Sequence, residues 1–323
     1  MADVLSGRRR RENRRSVLRL VVVLVLVLVA SGVFLVINAF DPLLVLPYRL
    51  PSLGAMLCVG WATVMFQTVT GNRILTPSVL GLDALYVLLQ VVLLLVLGAA
   101  GLSSLPDLGA FALTVLVMIG VSVALMGAVL GARRSVTTLV LLGIVLGTFL
   151  RSGTTFIQRL LDPNDFLILQ DRLFASFGSI NPDLLVLSLV LTAAVSILAI
   201  RELRALDVVA LGPDIATALG VDHRRISRRV MVMVAVLVSV STALVGPIMF
   251  LGLLVAHLAY WAAGTNRHVV TVPMAALVAM LVLVTGQTVL AHVLDADNVL
   301  SVIIEFLGGL TLIALIISSR RRS

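Results

Sequence analysis

Long apolar runs, closed by arginine clusters or by proline–glycine breaks, set the rhythm of this chain. A helix needs about 20 apolar residues to cross a hydrocarbon layer of about 30 Å. Residues 20–37, 50–69, 74–99, 108–131, 135–156, 184–200, 269–291 and 299–319 each predict one such helix. The run 230–266 has no Asp, Glu, Lys or Arg in 37 residues. As one helix it would be about 55 Å long, too long for a single crossing. Gly246 and Pro247 interrupt it near its middle, where a tight hairpin between two short helices is expected. The pattern therefore predicts an all-α membrane protein with ten spans.

The polar positions test this count. With the N-terminus inside, the inner segments collect 20 of the 24 arginines, leaving Arg49, Arg151, Arg159 and Arg172 outside. Reading 230–266 as one span would place Arg267 and the C-terminal arginines outside. The excess of positive charge on inner loops selects the hairpin and puts both termini in the cytosol. Residues 1–19 then form a basic cytosolic tail, and 20–323 a single transmembrane domain. Segment 151–183 alternates apolar clusters such as Phe156, Ile157, Leu160 and Leu161 with Arg and Asp, as suits a helix lying along the outer membrane surface. It separates two sets of five spans, about 20–157 and 180–319. Halves with an odd number of spans can be related only by inversion. Pro77 and Pro247 interrupt them at corresponding positions.

Composition narrows the class. The chain is 60% hydrophobic and 12% charged, with a mean hydropathy of +1.16, values that belong to a helical bundle whose outside is also apolar. All its basic residues are arginine. A phosphate-binding loop and a Schiff base each require lysine, so neither chemistry is expected here. The net charge of +8 sits at the ends of apolar runs, as a topology signal does, and not in a nucleic-acid-binding patch. Cys58, the single cysteine, lies in an apolar run and forms no intrachain disulfide.

Few residues in the spans carry chemistry. Asp83 and Glu305 are the acids there, and a buried carboxylate needs a reason. Asp83 can line a pathway, cap the break after Pro77, or bond a neighbouring helix; Glu305, one turn into the last span, can stay hydrated. His223, His257, His268 and His292 have no metal-ligand spacing. No GxSxG elbow or comparable catalytic constellation is present.

Three stretches together carry a family resemblance. They are FQTVTGNRILTPSVLG, with Gln67, Asn72, Pro77 and Gly81; the AxxLG pattern of Ala216, Leu219 and Gly220; and GPIMFLGLLVAHLAYWAAGTNRH from Gly246 to His268. In order and spacing, from about residue 48 to 318, the chain resembles the iron-chelate and cobalamin permeases of type II ABC importers. The wording GNRILTPSVLGLDALYVL is similar to the ferric-siderophore branch. Three positions depart from the family pattern. Only Arg49 remains of an outer Arg-x-Pro-Arg; Ala256 and Tyr260 replace the proline and arginine of Pro-His-Ile-x-Arg; and Asn266, Arg267 and His268 replace Asp-His-Arg.

The resemblance implies a permease subunit with no ATPase site and no cofactor of its own. ATP and magnesium would sit on two partner ATPase subunits. A second permease copy or paralogue would complete the channel in the cytoplasmic membrane, and an extracytoplasmic binding protein would deliver a ferric siderophore. The cytosolic loop 201–229 would then hold the ATPase-coupling residues Ala216, Ala218, Leu219, Gly220, Arg224 and Arg225. Arg49 would dock the binding protein, and Gln67, Asn72, Pro77, Gly81 and Asp83 would border the pathway. No protein metal site is implied, since the chelator already satisfies the iron. A cobalamin or haem permease of the same family is the neighbouring alternative. An independent secondary transporter is more distant, having no use for a coupling loop.

Overall fold

In hydrocarbon a backbone must satisfy its own polar groups, so segments this apolar fold as helices. A computed structural model describes residues 2–37, 50–131, 136–173, 182–293 and 300–320, and every regular element among them is helical. In chain order they are α1 (Ala2–Ile37), α2 (Leu50–Thr70), a 3-10 turn (Pro77–Leu80), α3 (Leu82–Ser104), α4 (Asp107–Gly131), α5 (Val136–Gln158) and α6 (Pro163–Leu173). There follow α7 (Pro182–Val209), α8 (Pro213–Ala218), α9 (His223–Val245), α10 (Leu251–Ala263), α11 (His268–Val293) and α12 (Leu300–Arg320). Among the described residues, seven stretches are long and apolar enough to cross a membrane, and two shorter apolar helices cover Leu251–Ala263 and Val302–Ala314.

Helix α2 occupies the centre, packing against α7, α9, α10 and α11. Ala62, Val64, Met65 and Phe66 are successive or nearly successive, yet all are fully buried, as expected of a helix enclosed on every side. Helix α1 lies at the periphery against α11. Its Leu24, Leu26, Leu28 and Val29 stay exposed, a surface suited to an apolar surrounding.

The long run 230–266 is broken where the sequence indicates. Helix α9 stops at Val245, residues 246–250 are non-helical, and α10 begins at Leu251. The other proline break is also present: the chain leaves α2 at Thr70 and takes one 3-10 turn from Pro77 before α3 starts. Helix ends extend past the apolar runs. The basic segment expected as a tail continues α1 back to Ala2, α7 reaches Val209, and α9 starts at His223. Arginine and glutamate are good helix formers, so a helix need not stop where hydrocarbon does. Segment 151–183 divides between the last turns of α5 and the separate α6. Leu169 of α6 is buried against Val91, Leu94 and Leu102 of α3.

Candidate functional site

The segment expected as one loop, 201–229, is mostly helix: it comprises the end of α7, the six-residue α8 and the start of α9. No slack separates α7 from α8. Ala210, Leu211 and Gly212 donate to the carbonyls of Leu206, Val208 and Val209, and Ala216 donates to Gly212. At the far end of α8, the Val221 N–H bonds the Ala216 carbonyl and the Gly220 N–H bonds that of Thr217, both at 2.9 Å. This is a Schellman cap, which needs a left-handed residue. Gly220 supplies it with φ of 79°. The AxxLG pattern thus has a local cause: Ala216 is the buried residue under the cap, Gly220 makes the turn, and Leu219 is left pointing out.

Ala216 is fully buried within the chain, beneath the cap. Ala218 and Gly220 are exposed. So are Leu211, Ile215 and Leu219, at 52–61% of their surface. Arg224 and Arg225 are exposed on the first turn of α9, where Asp222 accepts from the Arg225 N–H at 3.0 Å and so caps the helix. Arg229 reaches Glu202 of α7 at 3.2 Å, bracing the two helices that flank α8. The result is a short helix with apolar knobs, rimmed by arginine and held from both sides.

The residues expected along a pathway separate into two groups. Gln67 and Asn72 fold the turn after α2. The Gln67 amide donates to the Arg73 carbonyl at 2.7 Å, the Asn72 N–H to the Gln67 carbonyl at 3.1 Å, and the Asn72 side chain accepts from the Ile74 N–H at 2.9 Å. Pro77 and Asp83 instead border a small pocket, with Thr63, Ser78, Ser241 and Thr242. It lies between the two breaks, since residues 76–78 line it on one side and Gly246, Ile248 and Met249 on the other. Asp83 is 6% exposed, and its Oδ2 has no partner among the described residues. Glu305 is exposed on α12. Gly81 lies beside this pocket, packed on α5: a Cβ there would be 3.0 Å from the Gly147 Cα, and one on Gly143 would be 2.7 Å from the Leu80 Cα. The Gly143–Gly147 pair, a small-xxx-small step, is therefore what admits the 3-10 turn. Arg49 lies outside the described residues.

A polar cluster that sequence reasoning missed joins these regions. Asp207, two residues before the end of α7, accepts through one carboxylate oxygen from the His268 backbone N–H at 2.8 Å and from its ring Nδ1 at 2.6 Å. The His268 Nε2 is 2.6 Å from the Thr68 hydroxyl, which also donates to the Val64 carbonyl at 2.9 Å. The Arg73 guanidinium lies 4.5 Å above the Tyr260 ring and donates to Asn266 at 2.9 Å. Asp207 and His268 are 61 residues apart, and Thr68 and His268 are 200 apart. No local spacing announces such a cluster.

The model of the FecCD transport family matches residues 15–318. The chain belongs to that family. It is 38% identical over 312 residues to the petrobactin import system permease protein YclO of Bacillus subtilis, covering 95% of this chain and 99% of that one. Over 326 residues it is 36% identical to FatC, the petrobactin import permease of Bacillus anthracis (97% and 92% covered). Similarity extends at 31% identity to FepD, the ferric enterobactin transport permease of Escherichia coli (85% and 82% covered). A solved structure of a metal-chelate type ABC transporter, in an inward-facing conformation, shares the fold with a TM-score of 0.78 at 20% identity, covering 93% of this chain and 99% of that one. This FecCD protein is accordingly a multi-pass membrane transport permease. Two of its departures from the family wording meet in space: Tyr260, where the resemblance sets an arginine, lies under the guanidinium of Arg73, and Asn266 accepts from that same group.

Proposed function

We propose that this chain is the membrane subunit of an ATP-binding-cassette importer for a ferric siderophore, working in the cytoplasmic membrane with ten spans and both termini in the cytosol. Seven long apolar stretches, the two shorter apolar helices and the central α2 supply the ten. The inner position of 20 of 24 arginines supports the orientation. Five spans on each side of segment 151–183, each set with a proline break, support two inverted halves.

The observation that carries the reading is α8. Its buried base and its exposed Ile215 and Leu219 make it a docking element, fixed by hydrogen-bonded backbone to α7 and by the Schellman cap to α9. An isolated exposed apolar knob on a rigid mount suits a pocket on a partner protein, and the arginine rim suits an acidic edge around that pocket. In this reading the ATPase binds there, carries ATP and magnesium, and drives the cycle. This chain then needs no nucleotide site or cofactor of its own. Arg49 meets a carboxylate of the extracytoplasmic binding protein, and a second permease subunit closes the channel.

The siderophore is favoured over cobalamin or haem by relatives at 38%, 36% and 31% identity, which are named for petrobactin and enterobactin, against 29% for a vitamin B12 permease. A test reconstitutes the permease with its ATPase in liposomes and supplies loaded binding protein. ATP-dependent uptake of ferric petrobactin or ferric enterobactin, with cobalamin and haem excluded, is expected. Uptake of cobalamin or haem in preference would overturn the substrate. Uptake driven by an ion gradient without ATPase would overturn the class.

A further inference from the structure

From the polar cluster at the ends of α2, α7 and α11 we infer a further set of positioning residues: Asp207, His268 and Thr68 carry displacement of α8 into the helices that border the pathway. This rests on the reading of α8 as the ATPase-docking element. The route begins without slack, because 210–212 continue the hydrogen-bonding of α7 directly into α8. Asp207 stands on the last turn of α7. A push on α8 therefore reaches Asp207 as a rigid displacement.

From Asp207 the route passes through a single imidazole. Two N–H groups of His268 hold one carboxylate oxygen: the backbone N–H that opens α11, and the ring Nδ1. A carboxylate at a helix N-terminus is held both by the free N–H groups and by the helix dipole. The opposite ring nitrogen meets Thr68 on α2. The ring is planar and its side chain is 4% exposed, so water has little access to replace either partner and the ring cannot tilt without breaking one bond. Three helices are thereby fixed at one point.

Thr68 passes the constraint on. It stands beside Gln67 in the last turn of α2. Arg73, on the Tyr260 ring and bonded to Asn266, ties in the turn that Gln67 holds from below. That turn leads within four residues to Pro77 and the pocket between the breaks. A hydrogen-bonded network of this kind has discrete arrangements, made or broken, and can therefore couple two sites. For fastening helices alone it has no advantage, since well-packed apolar residues of similar volume stabilise as well or better.

The experiment uses the full permease–ATPase complex in liposomes with loaded binding protein. It measures ATP hydrolysed and ferric chelate imported for the wild type, Asp207→Ala, His268→Ala, the double variant, Thr68→Val and Thr68→Ser. The ratio of chelate to ATP is the informative quantity, because complexes that fail to fold or assemble contribute to neither term. Each of the three disruptive single variants is expected to keep its ATPase and hydrolyse ATP while that ratio falls about tenfold, an ordinary size for site-to-site coupling. The double variant should be no worse than either single one, since a route broken once is broken. Thr68→Ser keeps the hydroxyl and should restore the wild-type ratio.

A wild-type ratio in Asp207→Ala, His268→Ala or Thr68→Val would overturn the inference, as would additive losses in the double variant. Loss of ATPase binding in Thr68→Val would also overturn it, assigning the cluster to shaping the docking surface. A wild-type chain that neither binds ATPase nor imports chelate removes the transport reading itself, and this inference with it.

Discussion

At the scale of single residues, Ala216, Leu219 and Gly220 belong to one motif yet have three different tasks. Gly220 has open space where a Cβ would go but a φ of 79°, so its requirement is conformational. An ordinary residue there costs about 1–2 kcal/mol of backbone strain. A bulky replacement at Gly220 would mix that strain with a clash against a partner. Leu219 separates the two effects, because it is 61% exposed and lies outside the left-handed position. Leu219→Asp is expected to leave the thermal midpoint of the purified permease within a degree or two, surface changes being worth about 0.5 kcal/mol or less. It should weaken ATPase binding by about tenfold or more, the scale of a lost interface anchor. Ala216→Asp should do the opposite in order, lowering the permease midpoint first, because a charge at a fully buried position must be desolvated. Titrating labelled ATPase against both purified variants distinguishes them; unchanged affinity in Leu219→Asp would remove α8 from the interface.

At the scale of elements, the two breaks were legible because proline and glycine act locally, and a residue that cannot continue a helix is visible in any sequence. Helix ends were less so. Counting apolar runs measures hydrocarbon, and α7 and α9 continue past it to Val209 and back to His223 on charged residues that form helix well. Helix α8, at six residues, is too short for a periodic pattern. The Asp207–His268–Thr68 contact joins residues whose neighbours in sequence say nothing about each other. The fit of α5 to the 3-10 turn is intermediate: Gly143 and Gly147 are visible as small residues, but their partner is not. Gly143→Ala would put a Cβ 2.7 Å from the Leu80 Cα and 3.1 Å from the Val79 carbonyl, backbone atoms that no rotamer change can clear. It should destabilise by about 1–3 kcal/mol, as overpacking does. Gly153→Ala on the same helix meets nothing within 4 Å and should be neutral or, through helix propensity, stabilising by up to about 1 kcal/mol. Thermal midpoints of the two variants in one detergent give the comparison. Equal midpoints would mean that the turn does not depend on this close approach.

At the scale of the whole molecule, the orientation of everything after α8 depends on whether α9 and α10 cross separately. Helix α9 has 23 residues and is about 34 Å long, enough for one crossing. Helix α10 has only 13 residues, about 20 Å, short of the hydrocarbon thickness of about 30 Å. The non-helical residues 246–250 supply the rest, at up to about 3.3 Å per residue when extended. Irregular backbone at that depth is tolerated only inside protein or along a polar cavity, and Gly246, Ile248 and Met249 do line the pocket that holds Asp83, Ser241 and Thr242. The short helix and the polar pocket thus explain each other. If both helices cross, the exposed residue Asn266 returns to the same side as Arg224 and Arg225. A single cysteine placed there, Asn266→Cys in a Cys58→Ser chain, should react with a membrane-impermeant maleimide in inside-out vesicles and stay unlabelled in intact spheroplasts. Arg224→Cys in the same background should behave identically, which controls for vesicle orientation. Labelling of position 266 from outside, with 224 still protected, would make α9 and α10 one crossing and put the Asp207–His268 pair on opposite sides of the membrane, which a 2.6 Å contact forbids. The side of the membrane on which Asn266 is found therefore tests the topology and the polar cluster in one measurement.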